Sequence, residues 1–438
     1  MTITISDFFC GAGGSSTGAI QVPGVSVVMA ANHWDLAVET HNTNHPDTRH
    51  DVADLSQVDP RRYPTTDIAW LSPSCTNHSL AKGRKRHVDA TPDLFGDVLP
   101  DQAADRSRAT MWDVIRFAEH HQYRAVIVEN VVDAREWILW PAWSAGLTAL
   151  GYDYRVVSLN SMHAQGLGPG APQSRDRLYV VAWRRGEHAP DLDKWTRPTA
   201  ACPMHGTIRA VQAWKNPEKT VGKYRSQYVW RCPQAECRHT EVTPKVRPAA
   251  DAIDWSLPAT RIKDRPRPLA DKTMARIRDG YQTYARPLVV PVEGRDGKTA
   301  RPVNVPLRTC TARNETGVAI PPYVVELRGG GSKHRPITHP LATVCASGTH
   351  HGLAVPDMDT PRPAVGPMTA ATSVEDLGFR MLSPDEYRAA MEFPAGYTLL
   401  GNKREQVRLA GNAVTPPAAR DLVAAVVEAL TGTTFDPV

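Results

Sequence analysis

Short runs of apolar, often β-branched residues alternate with longer amphipathic stretches in the first part of the chain. Six runs predict strands, and they read TITISDFF, VSVVMAAN, DIAWLSPS, AVIVEN, YRVVSLN and LYVVAW. Nearly unbroken apolar runs are typical of parallel strands that are buried on both faces. Helices are predicted between them over 15–22, 34–44, 105–122 and 134–150. The alternation predicts an α/β fold with a doubly wound, mostly parallel sheet.

The pattern changes twice along the chain. From 184 to 378 it consists of proline, arginine and short broken segments, with one helix predicted at 268–280. Helical spacing returns after 379 in SPDEYRAAMEF and PPAARDLVAAVVEAL. We therefore predict a first domain over 1–183, a second, smaller and irregular β-rich domain over 184–378, and a segment over 379–438 that returns to the first.

Composition narrows the class of protein. With 438 residues, 41% of them hydrophobic and 22% charged, the chain is expected to fold into globular domains. No stretch approaches the roughly 18 apolar residues of a membrane span, so we expect an intracellular, cytoplasmic protein. Seven cysteines, an odd number, favour thiol or metal chemistry over a disulfide framework. The net charge of +5 is compatible with a polyanionic partner.

A glycine-rich turn follows the first predicted strand. It reads Gly11-Ala12-Gly13-Gly14-Ser15 and opens a predicted helix. Glycines let backbone amides approach a ligand where side chains would block it, so the turn is a candidate nucleoside-cofactor loop. It lacks the Gly-Lys-Ser/Thr ending of a phosphate loop, which argues against an ATPase.

Reactive side chains follow later strands. Cys75 comes after the run DIAWLSPS, and Glu129 lies near the end of AVIVEN. Because the carboxyl ends of parallel strands meet at the ligand crevice, both are predicted to face one pocket. Cys75 is then a candidate nucleophile, although a lone cysteine is also a common core residue. A buried Glu129 must be hydrogen-bonded or protonated.

These motifs, in this order, resemble the DNA cytosine-5-methyltransferase family. The resemblance rests on a cofactor loop, a nucleophile motif, a base-contacting motif, an arginine motif and a tail motif. In this chain they contain Asp7, Phe9, Gly11, Gly13 and Gly14; Pro73-Ser74-Cys75; Glu129-Asn130-Val131; Gln173-x-Arg175-x-Arg177; and Gly411-Asn412-Ala413-Val414.

The resemblance implies a class I, Rossmann-like methyltransferase that uses S-adenosylmethionine on double-stranded DNA. Cys75 would attack C6 of a flipped-out cytosine, and Glu129 would hold the base. Arg175 or Arg177 would hold the flipped nucleotide and position Cys75. The cofactor loop would be completed by residues that contact the adenosine or the methionine part, namely His33, Asp54, Asn412 and Ala413.

Two departures from the family pattern leave alternatives open. Ser74 and Thr76 flank the cysteine where proline and glutamine are usual, and His33 stands where a glutamate on the cofactor ribose is usual. The alternatives are an RNA cytosine-5 methyltransferase, a related transferase that uses a modified S-adenosylmethionine, and a catalytically silent DNA-binding homologue. The length of the middle domain and the retained motifs favour the active DNA enzyme.

The middle domain carries further candidates. Cys202, His205, Cys232 and Cys237 have a spacing compatible with a structural zinc site. The resemblance implies that this segment reads the DNA sequence. Gln173, Arg225, Arg328 and Arg335 are the predicted DNA contacts. We expect a monomer, in a bacterial or phage-infected cell, that acts beside a cognate restriction endonuclease.

Overall fold

The computed structural model describes most of the chain and divides it into two units. The described residues are 2–74, 91–92, 98–99, 102–284, 288–291, 301–302, 316–319, 322–327, 333–346, 350–355 and 374–437. The first unit comprises 1–247, 342–348 and 387–438, and the second comprises 248–341 and 349–386. Cys75 and Arg328 lie outside the described residues.

The first unit opens with alternating strands and helices, as the apolar runs predict. The elements are β1 (Ile3–Phe8), α1 (Gly14–Ala19), β2 (Val25–Asn32), α2 (Asp35–Asn44), β3 (Arg49–Val52), β4 (Ile68–Leu71), β5 (Thr91–Pro92), β6 (Val98–Leu99), α3 (Gln102–His121), β7 (Ala125–Asn130), α4 (Trp140–Ala149), β8 (Tyr152–Asn160), β9 (Gln173–Ser174) and β10 (Asp176–Arg184). All six predicted strands form.

Seven of these strands make one sheet in the order β3-β2-β1-β4-β7-β10-β8. The pairs from β3 to β7 are parallel, whereas β10 is antiparallel to both of its neighbours. The strand order reverses between β1 and β4, which is where doubly wound sheets bind ligands at the carboxyl ends of their strands. The doubly wound, mostly parallel sheet is therefore confirmed.

Residues 199–247 form a small β-rich part of the first unit, which we call the cysteine–histidine module. After α5 (Leu192–Thr196) it contains β11 (Thr199–Cys202), β12 (Gly206–Arg209), β13 (Val211–Trp214), β14 (Tyr228–Arg231) and β15 (Glu241–Val242). Gln212 Nε2 donates to the Ser158 carbonyl at 2.7 Å, and Trp230 Nε1 donates to His163 Nδ1 at 3.2 Å. The contacts thus assign 184–247 to the first unit, whereas the sequence texture predicted a boundary at 183.

The second unit is built on antiparallel strands. Its elements are β16 (Thr260–Arg261), α6 (Asp271–Tyr284), β17 (Leu288–Pro291), β18 (Arg301–Pro302), β19 (Thr316–Ala319), β20 (Tyr323–Glu326), β21 (His334–Pro336), β22 (Leu341–Ala342), β23 (His351–Val355) and β24 (Gly378–Met381). The division between the units falls within β22, after Leu341. A five-stranded sheet runs β16-β24-β23-β20-β21. Met274 and Ile277 of α6 pack on Tyr323 and Val325 of this sheet.

The tail returns to the first unit, as predicted. The division falls within α7 (Pro384–Ala390), and α8 (Lys403–Asn412) and α9 (Pro416–Thr431) follow. Asn402 and Glu405 form a capping box at the start of α8. Leu422 and Val426 of α9 pack with Ile5 and Ile127 in the core beneath one face of the large sheet. None of the described helices has both the length and the apolar character needed to cross a membrane.

We predict that Asp421 anchors α9. Its carboxylate accepts hydrogen bonds from the backbone amides of Gly166 at 2.7 Å and Leu167 at 3.1 Å, and it pairs with Arg420 at 2.8 Å, all in the buried interior. Asp421→Ala would leave two amides and a guanidinium without this acceptor. We expect a loss of about 3 kcal/mol in the free energy of unfolding, measured by urea titration. The exposed Asp436→Ala is the control, and equal stability of the two variants would contradict the prediction.

Candidate active site

Three residues of the glycine-rich loop between β1 and α1 have a positive φ. Phe9 has φ 60°, Gly11 53° and Gly13 87°. A left-handed conformation is unusual for a bulky residue such as Phe9 and indicates a loop held in shape by its surroundings. Gly14 has no room for a side chain, since a Cβ atom would lie 1.8 Å from the Val414 carbonyl oxygen. The tail therefore packs directly on the loop.

Asp7 holds the loop from beneath. Its Oδ2 accepts hydrogen bonds from the Ser15 hydroxyl at 2.5 Å and the Ser16 hydroxyl at 2.6 Å. Burial raises the pKa of Asp7 to about 6, although the two serines partly offset it. The other oxygen, Oδ1, is buried without a hydrogen-bond partner among the described residues. An orphaned acceptor under a glycine loop fits a ligand that brings a donor, such as the ammonium group of S-adenosylmethionine.

Three histidines from the stretch 41–50 extend this polar network. His41 lies 2.9 Å from the Ser16 hydroxyl through Nε2 and 2.8 Å from His50 through Nδ1. His45 Nε2 lies 3.0 Å from the Thr17 hydroxyl. Burial lowers the pKa of His41 well below its usual range and that of His45 to about 4. Sequence reasoning missed this cluster, because its only signal is three histidines within ten residues.

The predicted contacts at the far end of the cofactor site follow neighbouring strands. His33 follows β2 and Asp54 follows β3, so they lie at the same edge of the sheet, and both are exposed. Between them in the chain, Trp34 precedes α2, and the guanidinium carbon of Arg408 lies 4.3 Å from the centre of its ring. Arg408 belongs to α8, which ends at the exposed Asn412 and the buried Ala413.

The segment that leads to Cys75 is fixed next to β7. β4 and β7 are parallel neighbours, with Leu71 opposite Val128. Two residues further on, the Pro73 carbonyl accepts a hydrogen bond from Asn130 Nδ2 at 3.4 Å. The Ser74 amide donates to the Thr110 hydroxyl of α3 at 3.1 Å. The two residues before Cys75 are therefore held by α3 and by the strand end that carries Glu129.

Glu129 and Arg177 form an ion pair at this edge. Arg177 Nε lies 2.9 Å from Glu129 Oε1, and their side chains are 13% and 12% exposed. The pair follows from strand register, because Tyr179 of β10 lies opposite Glu129 of β7 and Arg177 is two residues earlier on the same face. A mostly buried carboxyl group beside a guanidinium is suited to hold a polar heterocycle in a fixed orientation.

A profile of the C-5 cytosine-specific DNA methylase family matches residues 3–428, which is nearly the whole chain. The chain belongs to this family. This chain is 28% identical over 192 residues to the Type II methyltransferase M.AgeI of Thalassovita gelatinovora. The match covers 41% of this chain and 39% of that protein. The chain is 25% identical over 181 residues to M.HhaI of Haemophilus parahaemolyticus, with 41% and 48% covered. The matched segment thus spans less than half of either relative.

Solved structures share the fold of this chain. The methyltransferase EhMeth of Entamoeba histolytica matches with a TM-score of 0.53 at 10% identity and covers 98% of both chains. The Dnmt2 methyltransferase of S. pombe matches with a TM-score of 0.54 at 12% identity, and covers 98% of this chain and 100% of its own. At such low identity the likeness establishes the fold alone. The Rossmann-like methyltransferase fold expected from the motifs is confirmed.

The two arginines of the arginine motif make different contacts. Arg175 is buried, and its guanidinium donates to the carbonyls of Val344 at 3.0 Å, Gly411 at 2.9 Å and Ala413 at 3.0 Å. Of the two arginines predicted to hold the nucleotide, only Arg177 therefore faces Glu129. Arg175 instead fixes the end of α8, because its charged group is satisfied by buried carbonyl oxygens.

The predicted DNA contacts differ in their surroundings. Gln173 is fully buried, where it accepts a hydrogen bond from the Val344 amide at 2.9 Å and donates one to the Ala390 carbonyl at 3.2 Å. Its contact with DNA stays a prediction. Arg335 pairs with the buried Glu326 inside the second unit. Arg225 is exposed, with φ 63°, and stays a predicted contact.

The four predicted metal ligands come together in the cysteine–histidine module. Cys202 and His205 belong to the β11–β12 hairpin, whereas Cys232 and Cys237 follow β14. Their ligand atoms all lie within 4.8 Å of one another, and both Cys202 Sγ and Cys232 Sγ lie 3.5 Å from His205 Nδ1. Ligands of a tetrahedral zinc ion with Zn–S bonds of about 2.3 Å are about 3.5–3.8 Å apart. The residues therefore fit zinc.

We predict that His45 contributes to acid sensitivity. Its pKa is about 4 in the folded state and 6.5 in the unfolded chain. As the pH falls below 6.5, the unfolded chain therefore binds a proton that the folded chain does not bind. Stability is lost between pH 6.5 and 4, by up to about 3 kcal/mol from this group. His45→Asn is therefore expected to lose less stability across this range in urea titrations. His188→Asn, at an exposed site, serves as the control, and identical slopes for both variants would refute the prediction.

Proposed function

We propose that the protein transfers a methyl group from S-adenosylmethionine to C5 of a cytosine in double-stranded DNA. Family membership and the names of the Type II relatives support this reaction. The observation that carries it is the Glu129–Arg177 pair, next to the strand end that leads to Cys75. One subunit supplies all of these groups, which supports a monomer.

In the proposed mechanism the chain first holds the base. Cytosine C6 lies inside the base stack, so the nucleotide must be rotated out of the duplex. Glu129 then binds N3 and the exocyclic amine, while Arg177 fixes the carboxyl group that makes this contact. Water is excluded because both side chains are mostly buried. Arg175 acts as a positioning residue through Ala413 and the end of α8.

Cys75 makes cytosine reactive. Its thiolate adds to C6, and the electron pair of the 5,6 double bond moves toward N3, where Glu129 delivers a proton. C5 becomes an enamine carbon. S-adenosylmethionine supplies an electrophilic methyl group on its sulfonium. C5 would take that methyl group and leave the sulfur as a neutral thioether. N3 then returns its proton to Glu129, a base takes the C5 proton, and the departure of the Cys75 thiolate restores the neutral aromatic ring, now methylated.

The cofactor is proposed to lie over the glycine loop. Phe9 would contact the adenine, Gly11 and Gly13 would leave space for the backbone to approach, and Asp54 would hydrogen-bond the adenine edge. His33 would face the ribose. The orphaned Asp7 Oδ1 would accept from the ammonium group.

We place the enzyme in the cytoplasm of a bacterial or phage-infected cell, beside a cognate restriction endonuclease. The support is that the relatives M.AgeI and M.HhaI are Type II methyltransferases. We also propose that the cysteine–histidine module binds one structural zinc ion.

We predict that Glu129→Gln slows methylation by about 100-fold or more, since a carboxamide cannot deliver a proton to N3. Cys75→Ala is expected to abolish it. The gene is expressed in a bacterial host that lacks cytosine methylation, and its DNA is sequenced after bisulfite treatment. Exposed Glu136→Gln is the matched control for Glu129→Gln.

Several outcomes would overturn the proposed function. Unmodified DNA from the wild type together with labelled RNA in vitro would identify an RNA enzyme. A modified base other than 5-methylcytosine would identify a different cofactor. Full activity of Cys75→Ala would remove the covalent mechanism, and DNA binding without any modification would identify a silent homologue.

Removal of the proposed zinc is expected to loosen the cysteine–histidine module, because the four ligands would join the β11–β12 hairpin to the segment after β14 around a small hydrophobic core. Elemental analysis should find one zinc per chain, and Cys232→Ser should lose it and lower the melting temperature. Cys10→Ser, outside the module, should keep the metal. Purified wild-type protein without zinc would contradict the assignment.

A further inference from the structure

The positive charge of the chain is concentrated in the cysteine–histidine module. Residues 199–247 contain nine lysines and arginines and three glutamates, a net +6. The whole chain has a net charge of only +5, so the other residues together carry −1. Most of the basic side chains of the module are exposed: Lys215, Lys219, Arg225, Arg231, Arg238 and Lys245.

Strand alternation divides the sheet of the module into two faces. Gln212, Trp214, Tyr228 and Trp230 point to one face, where Gln212 donates to the Ser158 carbonyl of β8. The opposite face, which we call the outer face, has Val211 opposite Arg231 and Ala213 opposite Val229. These three apolar residues are half-buried rather than covered, so the outer face is left open to a partner.

A surface groove of about 430 Å³ runs over the outer face. Its floor is apolar, and Lys215, Arg231 and His239 lie along it. Lys215 Nζ donates to the Arg225 carbonyl at 2.6 Å, which brings a second exposed cation to that end. Among the described residues, no ion pair joins a carboxylate to Lys215 or Arg231, and the exposed Glu241, which lies opposite Arg231 on β15, is not within ion-pair distance of it. The cations are therefore available to an anionic partner.

The module is joined to the elements that carry the candidate active site. Lys223 Nζ lies 3.0 Å from Asp133, four residues after Glu129. The Tyr224 amide donates to Asp176, the neighbour of Arg177, at 3.0 Å. A polyanion bound at the active-site edge would thus meet a basic surface of the same unit.

We propose that the outer face binds the sugar–phosphate backbone of duplex DNA without reading its sequence. Cations at the ends of the groove would neutralise phosphates, and the apolar floor would contact deoxyribose. This inference rests on the proposed function, since it assumes DNA as substrate. It adds a docking surface on the first unit to whatever sequence recognition the second unit provides.

The test measures binding of the zinc-loaded full chain to a fluorescent duplex of random sequence at increasing salt. Each lost phosphate contact lowers the slope of log K against log salt by about 1. Lys215→Gln with Arg231→Gln should therefore lower the slope by about 2 and weaken binding at least tenfold at low salt. KM for DNA should rise, while the rate at saturating DNA is unchanged.

The matched control is Arg49→Gln with Arg61→Gln. Both arginines are exposed. Arg49 begins β3, the edge strand opposite β8, and the neighbour of Arg61, Arg62, pairs with Asp51 of β3, so this pair removes the same charge from a distant surface. An unchanged slope for the Lys215/Arg231 variant, or an equal loss in the control, would overturn the inference. Zinc content and melting temperature show whether each variant is folded.

A second variant guards against misfolding. Ala213→Glu places an anion on the half-exposed floor without removing a cation, and it should weaken DNA binding to a similar extent. Normal DNA binding by this variant would also refute the groove. Failure of the proposed function is distinguishable, because it would abolish methylation in the wild type, whereas failure of this inference leaves methylation and KM unaltered in the variants.

Discussion

The guanidinium of Arg175 is the interaction on which both halves of the candidate site depend. It lies in the interior, where a cation requires hydrogen-bond acceptors, and three carbonyls from two separate stretches accept from its two terminal nitrogens. On one side it fixes Ala413, whose neighbour Val414 presses on Gly14 and so shapes the glycine loop. On the other side it is two residues from Arg177, which holds Glu129. A single buried side chain thus links the glycine loop to the Glu129–Arg177 ion pair.

The sequence predicted the large sheet well because buried parallel strands have a strong apolar signal. It predicted the edge of that sheet as the site for the same reason, since Glu129 and the approach to Cys75 end neighbouring strands. The start of one helix was predicted too early. The predicted helix at 134–150 begins at Trp140 instead, preceded by a short 3-10 turn over Val132–Glu136, and Pro141 suits the first turn of the later start.

Side-chain roles were harder to predict than backbone elements. Gln173 and Arg175 have the residue types expected of DNA contacts, yet both are buried by partners more than 160 positions away, which no local pattern reveals. The division of the chain into compact units falls after residue 247, because the cysteine–histidine module is attached to the first unit by hydrogen bonds to β8 and His163 that no local pattern reveals. The clustering of Cys202, His205, Cys232 and Cys237 was predictable, since a metal site requires a characteristic spacing of cysteine and histidine in the sequence.

The contact between Gly14 and Val414 joins residues 400 positions apart and has a consequence for the order of folding. During synthesis β1 and the loop emerge first, but the surface that shapes the loop is made only when residue 414 has left the ribosome. Contacts of such sequence separation form late and slowly, because a long loop must close before they contribute. In a nascent chain the glycine loop would accordingly reach its final shape only when translation of the tail is nearly complete.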